Sequence, residues 1–302
     1  MPSITIRKPG LLTTIQDLGR VGLGRFGVPP SGAMDPLAFR VSNRLLGNDD
    51  GLPALEITTV GPEIEFHQET CFALAGANLT PMLGDRRIDV WQAFVARKGE
   101  ALRFGARRQG SRCYLAVPGG FRIDRILGSA STDLDSGFGG VDGKPLRAGL
   151  ALEMGEQSGE YSGRVRVDFF RQYSNPFELR FVREQQLLFE ETSMAGFKSG
   201  RYRVSEHSNR MGYRLQGPSI AASVAADLIS EAILPGTIQI PFSGEPILLM
   251  ADRQSVGGYP RIGYVIRADL PKAAQLWIGH LVRFREVTLD QAYFLAKEQE
   301  AM

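Results

Sequence analysis

The segment ADRQSVGGYPRIGYVI, at 251–266, carries the residue types best suited to bind a small substrate. It follows the apolar run PILLM, and polar residues at a strand end followed by glycines are typical of a ligand-facing loop. Arg253 offers a fork for a carboxylate or a carboxy-phosphate, and Tyr259 offers a hydroxyl for a carbonyl. The alternative is an internal Asp252–Arg253 pair that holds a turn. The other candidates in this loop are Gln254, Gly257 and Gly258.

The Gly-rich stretch LGRVGLGRFGVPPSGAMD, at 18–35, is a second candidate. Its GLGRFG has the spacing of a dinucleotide-binding loop, but two prolines follow at once and no helix opens on the last glycine. One remaining interpretation is a β-loop whose glycines supply positive φ. The other is an anion site, in which the N–H groups of Ser31, Gly32 and Ala33 bind a carboxylate or phosphate beside a helix that begins after Asp35.

Four sequence blocks occur twice in the same order, which predicts a duplicated fold. DLGRVGLGRFGVP matches HSNRMGYRLQGPS, and LEITTVGPEIEF matches ISEAILPGTIQI. Further on, CFALAGANLTPMLGDRRI matches PILLMADRQSVGGYPRIG, and KGEALRF matches IGHLVRF. Duplicated folds form pseudo-symmetric pairs, and ligand sites favour the cleft between two such copies.

The repeat aligns Arg20 with Arg210, and Glu56 with Glu231. Both glutamates lie in apolar strand-like runs, and a buried carboxylate needs a partner. We therefore expect an Arg20–Glu56 pair in one half and an Arg210–Glu231 pair in the other. Because the pairs are duplicated, we interpret them as architecture rather than chemistry.

Short strands separated by Gly and Pro make up most of the chain, which predicts barrels or sandwiches. One helix is predicted after an N-cap at Asp35, with a proline at its first position and an end at Gly47. The apolar stripe of this helix is Leu37, Val41 and Leu45. A short helix is predicted at 270–276, and a terminal helix after the capping-box pair Thr288 and Gln291.

The 302 residues suit two domains, which we place at 1–160 and 177–302 with a linker at 161–176. The formal net charge is only +2, and the basic stretch at 103–112 lacks interleaved aromatic residues, so nucleic-acid binding is not expected. No apolar run reaches the length of a membrane span, and the N-terminus lacks a signal-type apolar region. These features predict a cytoplasmic protein with no membrane association.

Metal and nucleotide motifs are missing from the sequence. His67, His207 and His280 are scattered, and no Cys/His spacing suits zinc. Cys71 and Cys113 lie in apolar runs, which favours buried thiols over a disulfide. There is no phosphate loop and no biotin-attachment sequence. No metal site is therefore expected.

Long motifs spread over the chain resemble the biotin-dependent carboxyltransferase family, which includes the carboxyltransferase domain of urea carboxylase, KipA, and the C subunit of bacterial 5-oxoprolinase. The motifs are TTIQDLGRVGLGRFGVPPSGAMD, ALEITTVGP, YLAVPGG, SNRMGYRLQGP, SEAILPGTIQIP and ADRQSVGGYP. The resemblance implies a mainly β fold of two tandem cyclophilin-like β-barrels with a few short helices. It also implies two partners, the KipI-like B subunit and the A subunit. The implied activity is ATP-dependent opening of 5-oxo-L-proline to L-glutamate by the complex, with this chain as a stand-alone C subunit that is inactive alone.

The chain departs from the family pattern at three places. Arg-Glu-Gln stands at 183–185, where family members often have a Gly-Pro turn. Arg261 stands in the place of an expected Lys, and Cys113 in the place of a small residue such as Ala. These departures bear on the substrate more than on the fold.

The resemblance and the residues together give a hypothesis for the site. The activated lactam is anionic and needs donors where charge develops, which Arg253 and the loop at 15–35 supply. Asp17 or Asp252 orients water or a substrate ammonium, so the catalytic candidates are Asp17, Asp252 and Arg253. The substrate-binding candidates are Arg20, Ser31, Gly32, Ala33, Asp35, Arg210, Gln254, Gly257, Gly258 and Tyr259. The substrate is expected between the unequal loops 31–35 and 252–259, and ATP is assigned to the complex without a location.

Two other functions stay open from the sequence. One is a carboxyltransferase subunit that acts on urea or a related amide with biotin supplied in trans. The other is a non-enzymatic, KipA-like regulator that binds a kinase-inhibiting partner.

Overall fold

The chain folds into two compact units, each rich in β-strands. The computed structural model describes residues 3–155, 173, 175–185, 188–222 and 228–300. The first unit comprises Met1–Arg20 with Ser31–Gln172, and the second comprises Val21–Pro30 with Tyr173–Met302. The short segment 21–30 thus belongs to the second unit, which the sequence did not suggest. The boundary at 161–176 stays a prediction, because most of that range lies outside the described residues.

Two antiparallel sheets form the first unit. Its strands are β1 (Ser3–Lys8), β2 (Leu12–Gln16), β3 (Ala54–Thr58), β4 (Glu63–Phe66), β5 (Thr70–Asn78), β6 (Pro81–Leu83), β7 (Arg86–Arg87), β8 (Gln92–Ala96), β9 (Ala101–Phe104), β10 (Gln109–Ala116) and β11 (Ala151–Glu153). One sheet has the order β11-β1-β4-β9-β6-β7, and the other has the order β2-β3-β10-β5-β8. Side chains from both sheets, such as Ile4, Phe66, Leu55 and Phe72, share one buried apolar cluster. The core of this unit therefore lies between the sheets.

Helix α1 (Pro36–Arg44) covers the outer face of the second sheet. Side chains alternate along β5, so Phe72 and Leu74 join the core while Ala73 and Ala75 pack under the helix. The small alanines leave room for the large Phe39 of the helix, which is fully buried.

The predicted N-cap of α1 is confirmed, but the helix ends at Arg44 with Leu45 as its C-cap rather than at Gly47, and its predicted buried stripe is displaced. The Asp35 carboxylate accepts a hydrogen bond of 3.0 Å from the Ala38 N–H. Gly47 adopts φ 68° and donates its N–H to the Arg44 carbonyl at 3.0 Å. Leu37 and Val41 are only half-buried. The helix instead buries Ala38, Phe39, Ser42 and Asn43, because it lies flat on the alanine surface of β5.

A closed seven-stranded barrel forms the second unit, as the family resemblance implied. Its elements are β12 (Phe177–Arg183), α2 (Glu191–Ser199), β13 (Tyr202–Val204), β14 (Gly212–Gln216), β15 (Glu231–Ala232), β16 (Thr237–Gln239), β17 (Ile247–Leu249), β18 (Val256–Gly257), β19 (Arg261–Val265), α3 (Leu270–Ala274), β20 (Leu281–Glu286) and α4 (Leu289–Glu300). The barrel order is β12-β19-β16-β17-β14-β13-β20, and β15 and β18 form a separate two-stranded ribbon. The prediction of a mainly β chain with a few short helices is confirmed.

The helices of the second unit match the sequence in part. Helix α3 lies within the predicted range 270–276. The capping box before α4 is confirmed, since Thr288 and Gln291 exchange hydrogen bonds of 3.1 and 3.2 Å. Helix α2 was not predicted, because it buries only Met194 and Phe197 and has no side-chain cap. In the described part of the chain, no helix has the length and apolar character needed to cross a membrane.

Candidate functional site

The Asp17 carboxylate lies at the centre of a buried hydrogen-bond network in the first unit. Its Oδ1 accepts from the hydroxyls of Ser129 and Ser131, both at 2.6 Å, and from the Gly19 N–H at 2.8 Å. Its Oδ2 accepts from the Ala130 N–H at 2.7 Å. The segment GSASTD, at 128–133, therefore serves to hold Asp17.

These hydrogen bonds decide the charge of Asp17. Burial acts to raise its pKa, but the hydroxyls of Ser129 and Ser131 and the surrounding N–H groups outweigh burial, so the pKa lies below the usual value. The carboxylate is ionised at neutral pH, and protein donors occupy its oxygens. This geometry does not favour the prediction that Asp17 orients water or substrate. It favours a role in fixing the loop that follows β2.

Arg20 makes contacts that differ from the predicted ones. Its Nε donates to the Ile126 carbonyl at 3.2 Å, and its Nη2 donates to the Ser131 carbonyl. The guanidinium lies 4.5 Å from the centre of the Phe138 ring. The side chain is 1% exposed, so it positions neighbouring backbone rather than a substrate.

The guanidinium beside Glu56 belongs to Arg112, so the predicted Arg20–Glu56 pair is wrong. Arg112 Nε lies 3.8 Å from Glu56 Oε1. Glu56 Oε2 accepts hydrogen bonds from the Tyr114 hydroxyl at 2.7 Å and from the Met34 N–H at 2.9 Å. Burial and the Glu56 charge together raise the pKa of Tyr114 well above its usual value. The arrangement is architectural, as the repeat suggested, but the cation comes from β10.

One of the three backbone N–H groups predicted to bind an anion, that of Ala33, is used inside the first unit, which weakens the predicted anion site. Ala33 donates its N–H to the Asp17 carbonyl at 2.9 Å, and Asp35 donates its N–H to the Tyr114 hydroxyl at 2.8 Å. Ser31 and Gly32 both adopt positive φ, as the β-loop interpretation expects. The Ser31 Oγ, which was not part of the predicted anion site, is buried without a hydrogen-bond partner among the described residues.

The Gly-rich segment 21–30 approaches the loop 252–259 within the second unit. Its 3-10 turn, Gly24–Phe26, closes with a hydrogen bond of 2.9 Å from the Gly27 N–H to the Gly24 carbonyl. A Cβ added to Gly24 would lie 3.8 Å from the Ser255 Cβ. Two stretches that the sequence singled out separately are therefore neighbours.

Asp252 forms a buried ion pair with Arg210, so the predicted Arg210–Glu231 pair is also wrong. The Arg210 Nε and Nη2 donate to the two carboxylate oxygens at 2.7 and 3.0 Å. Glu231 lies in the exposed ribbon, where its carboxylate accepts from the Arg261 guanidinium instead. The interpretation of Asp252 as a residue that pins a turn is thus closer to the structure than a catalytic role. Its partner is Arg210 rather than Arg253.

Arg253 is a buried cation without a carboxylate partner in the part of the chain that the structure describes. Its Nε donates to the Ile233 carbonyl at 3.0 Å, and its Nη1 donates to the Met250 carbonyl at 3.3 Å. Among the described residues, Nη2 has no hydrogen-bond or ion-pair partner. Burial lowers the pKa of Arg253 to about 10, against the opposing effect of the Asp252 charge. The side chain is 8% exposed. It is the strongest candidate for binding a substrate anion.

Close approach at Gly257 brings together the amides of two glutamines. A Cβ on Gly257 would lie 2.6 Å from Gln254 Nε2 and 3.0 Å from Gln239 Nε2. Gln254 is exposed, whereas Gln239 is 2% exposed and its Nε2 has no hydrogen-bond partner among the described residues. Gln239 was not among the residues predicted from the sequence. The sequence does show one amide side chain in the apolar run TIQIP, and a buried amide needs a polar partner.

The end of the same loop is more open. Tyr259 is 40% exposed and meets the exposed Phe242 edge to face, with ring centres 5.9 Å apart. Tyr259 is therefore open to solvent. A Cβ on Gly258 would lie 2.7 Å from the Leu228 carbonyl, so this glycine is needed for backbone packing.

Two of the departures from the family pattern contact each other. Glu184, from 183–185, lies with its Oε2 at 3.4 Å from the Arg261 Nε and accepts a hydrogen bond of 2.6 Å from the Tyr264 hydroxyl. Burial, followed by the hydrogen bond to Glu184, raises the pKa of Tyr264 to about 12. The charges of Glu184 and Arg261 therefore balance each other in the barrel. Cys113 is buried, and burial raises the pKa of its thiol to about 12, which supports an inert thiol.

A cavity of about 430 Å³ lies elsewhere in the second unit, beside α4. Its lining residues are Arg180, Arg285, Val287, Asp290, Gln291, Phe294 and Leu295. Both arginines are paired, Arg180 with Asp269 and Arg285 with Glu178. The predicted site residues do not line this cavity, so Arg253 stays the stronger candidate.

A family model of the carboxyltransferase domain, subdomains A and B, matches residues 26–286. The chain belongs to this family. The match covers the loop 252–259 and the whole barrel. It also covers the Gly-rich stretch 18–35 from residue 26 onward.

Relatives of this carboxyltransferase chain fall into two groups by name. The 5-oxoprolinase C subunit of Haemophilus influenzae is 37% identical over 292 residues, which cover 95% of this chain and 92% of the relative. The protein of the same name from Escherichia coli is 34% identical, with 98% and 95% covered. The crystal structure of the K. lactis urea amidolyase superposes with a TM-score of 0.93 at 29% identity, and it matches 99% of this chain but only 19% of that chain.

Proposed function

We propose that this chain is the C subunit of a 5-oxoprolinase complex, which opens 5-oxo-L-proline to L-glutamate. The observation that carries the proposal is the match to two proteins named for the C subunit of 5-oxoprolinase, over 92% and 95% of their lengths. The urea amidolyase is matched over less than a fifth of its chain. The reciprocal coverage therefore favours the oxoprolinase interpretation.

The second unit supplies the substrate site in this proposal. Opening of the lactam requires negative charge to develop on its carbonyl oxygen, and a preorganised donor in a buried setting stabilises such charge. Arg253 is buried, cationic and without a carboxylate partner among the described residues, so its Nη2 is suited to this oxygen or to the substrate carboxylate. Tyr259 and Gln254 stand exposed on the same loop, where they help to orient the substrate.

ATP supplies the activation of the lactam in the proposed complex. The backbone donors before α1 do not fit a phosphate, because Ala33 and Asp35 already donate their N–H groups within the protein. We therefore assign no residue of this chain to ATP and derive no step through it. The proposed setting is the cytoplasm, where the complex has access to ATP.

The partners in this proposal are the KipI-like B subunit and the A subunit. The second unit exposes large apolar side chains, including Val21 (87% exposed), Phe26 (66%) and Phe242 (82%). Exposed apolar surface of this kind supports contact with other proteins. The chain alone is expected to be inactive.

The test is release of L-glutamate from 5-oxo-L-proline and ATP by the purified subunits, in the presence and absence of this chain. The proposal expects turnover only when this chain is mixed with both of its partners. Equal turnover without this chain, or turnover by this chain alone, contradicts it.

A second candidate function is carboxyl transfer to urea or a related amide with biotin supplied by a separate carrier. The TM-score of 0.93 against the K. lactis urea amidolyase favours it. Urea-dependent loss of the carboxyl group from a carboxybiotinyl carrier protein, with no glutamate release in the first assay, would select this function.

A further inference from the structure

The ribbon of β15 and β18 carries part of the loop 252–259 and lies outside the strand order of the barrel. Its strands pair through two residues each, and just beyond them the Ile233 N–H donates to the Ser255 carbonyl at 3.0 Å. Within 229–235, Ile233 alone is buried. Because a two-stranded ribbon with so little buried apolar surface is only marginally stable by itself, other contacts must hold it in place.

The ribbon in turn orients the side chain of Arg253. The Ile233 carbonyl accepts a hydrogen bond from the Arg253 Nε at 3.0 Å, and the Met250 carbonyl accepts one from its Nη1 at 3.3 Å. The Met250 carbonyl directly follows the barrel strand β17, whereas the Ile233 carbonyl directly follows the ribbon strand β15. A displacement of the ribbon therefore moves one of the two backbone acceptors that orient the guanidinium.

An ion pair of side chains attaches the ribbon to the barrel. Arg261, the first residue of β19, donates from its Nη2 to the Glu231 carboxylate on the ribbon. Its Nε lies 3.4 Å from the Glu184 Oε2, which also accepts a hydrogen bond of 2.6 Å from the Tyr264 hydroxyl. In the described part of the chain, no other ion pair joins the ribbon to the barrel. The guanidinium fork thus connects one carboxylate on the ribbon with a second one beside β12.

We propose that Arg261 is a positioning residue, whose ion pair with Glu231 holds the ribbon on the barrel and thereby fixes the Ile233 carbonyl that orients the Arg253 guanidinium. The role of Arg253 toward the substrate rests on the proposed function, whereas the anchoring of the ribbon does not. Without the ion pair, the barrel stays folded, but the ribbon opens more often and its closed position is less fixed. Arg253 then meets the substrate in a poorer orientation.

The first test measures hydrogen exchange at single amides of the free chain. Glu231→Gln removes the charge on the ribbon, so the Ile233 N–H should exchange about fivefold faster, the upper end of the effect of a partly exposed ion pair. The Met250 N–H, which donates to the Met211 carbonyl at 2.8 Å, should keep its rate. An unchanged rate at Ile233, or equal acceleration at both amides, would overturn the proposal.

Glu191→Gln is the matched control for this test. Glu191 is an exposed glutamate of the same unit that pairs with Arg183 at 2.6 Å, but it lies on α2 rather than on the ribbon. The control variant should leave the exchange rate of the Ile233 N–H unchanged. Acceleration as large as that caused by Glu231→Gln would show that the effect is not specific to the ribbon, and the proposal would fall.

The second test asks whether the ion pair acts through Arg253. In the complete complex, Glu231→Gln should lower kcat/KM for L-glutamate release by about tenfold, because small displacements of a substrate-binding group are costly. In the Arg253→Met background, the same change should have almost no further effect. Equal losses in both backgrounds would mean a role in stability alone and would overturn the positioning role.

The two tests separate this proposal from the proposed function. The exchange measurement needs neither substrate nor partner subunits, so a negative result there overturns the anchoring of the ribbon and leaves the proposed function standing. A wild-type complex that releases no glutamate overturns the proposed function together with the role of Arg253. Faster exchange at Ile233 in Glu231→Gln would still support the anchoring in that case.

Discussion

Arg210 donates two hydrogen bonds to Asp252, of 2.7 and 3.0 Å, and both side chains are less than 6% exposed. The pair fixes the start of the loop 252–259, where the Asp252 N–H also donates to the Arg210 carbonyl at 3.1 Å. Because Arg210 engages Asp252, the neighbouring Arg253 is left without a carboxylate among the described residues. Adjacent residues thus differ: Asp252 holds the loop, and Arg253 is the residue that we propose binds the substrate anion.

Removal of one member of this pair should strongly destabilise the second unit. Arg210→Met leaves the Asp252 carboxylate buried without its cation, which costs about 3–5 kcal/mol of the free energy of unfolding. The control is Arg44→Met, since Arg44 pairs with Asp50 at 2.6 Å on the surface and should lose at most about 1 kcal/mol. Urea unfolding measures both values, and equal losses would contradict the assignment of a structural role to the Arg210–Asp252 pair.

The serines around Asp17 should give a pH-dependent contribution to stability. Ser129→Ala removes a hydrogen bond of 2.6 Å to the ionised carboxylate, which should reduce the free energy of unfolding by about 2 kcal/mol at pH 7. The folded-state pKa of Asp17 is lowered, so the stabilisation is complete above the ordinary value of 3.8 and disappears as pH falls through the folded value. Urea unfolding between pH 7 and pH 2 should show the gap between wild type and variant closing at the acid end. Ser199→Ala, an exposed position, should show no gap, and a constant gap for Ser129→Ala would contradict the account.

The Tyr114 hydroxyl should be essential to the packing of α1. It donates to Glu56 at 2.7 Å and accepts from the Asp35 N–H at 2.8 Å, so Tyr114→Phe leaves a buried carboxylate oxygen and a buried N–H with fewer partners. We expect a loss of about 2–3 kcal/mol in thermal or urea unfolding. Tyr293→Phe, at a position 63% exposed, is the control and should be neutral. A neutral Tyr114→Phe would contradict the network.

Local signals of the sequence predicted local structure well. The cap at Asp35 and the capping box at Thr288 and Gln291 depend on residues three positions apart, and both are present. The pairing of Arg20 with Glu56 failed because ion pairs depend on strand neighbours that the repeat did not reveal. Tyr114 lies opposite Glu56 on β10, and this register brings Arg112 to the carboxylate.

The candidate site was predicted in part, for similar reasons. Arg253 and its glycines follow a buried strand, which the sequence shows directly. Gln239 was missed because its relation to Gly257 arises only when β16 of the barrel and the ribbon strand β18 pack together. The N–H groups before α1 were misjudged, since the residues that accept their hydrogen bonds include distant positions such as Glu56 and Tyr114.

Two glycines with similar backbone geometry should differ in tolerance to a side chain. Gly32 adopts φ 85°, and a Cβ there would lie 2.9 Å from the Gly19 backbone nitrogen. Gly22 adopts φ 87°, but nothing lies within 4 Å of its Cβ position. Gly22→Ala should therefore lower the free energy of unfolding only by the cost of placing alanine at positive φ, about 1–2 kcal/mol, whereas Gly32→Ala should lower it by more. Similar unfolding midpoints for the two variants would contradict the close approach at Gly32.

The central claim is that Arg253 of the second unit acts on the substrate of a 5-oxoprolinase. The most direct measurement is the rate of L-glutamate release from 5-oxo-L-proline and ATP by the complete complex that contains Arg253→Met. We expect kcat/KM to fall by about 100-fold or more while the chain still folds and assembles. A variant complex with the wild-type rate would contradict it.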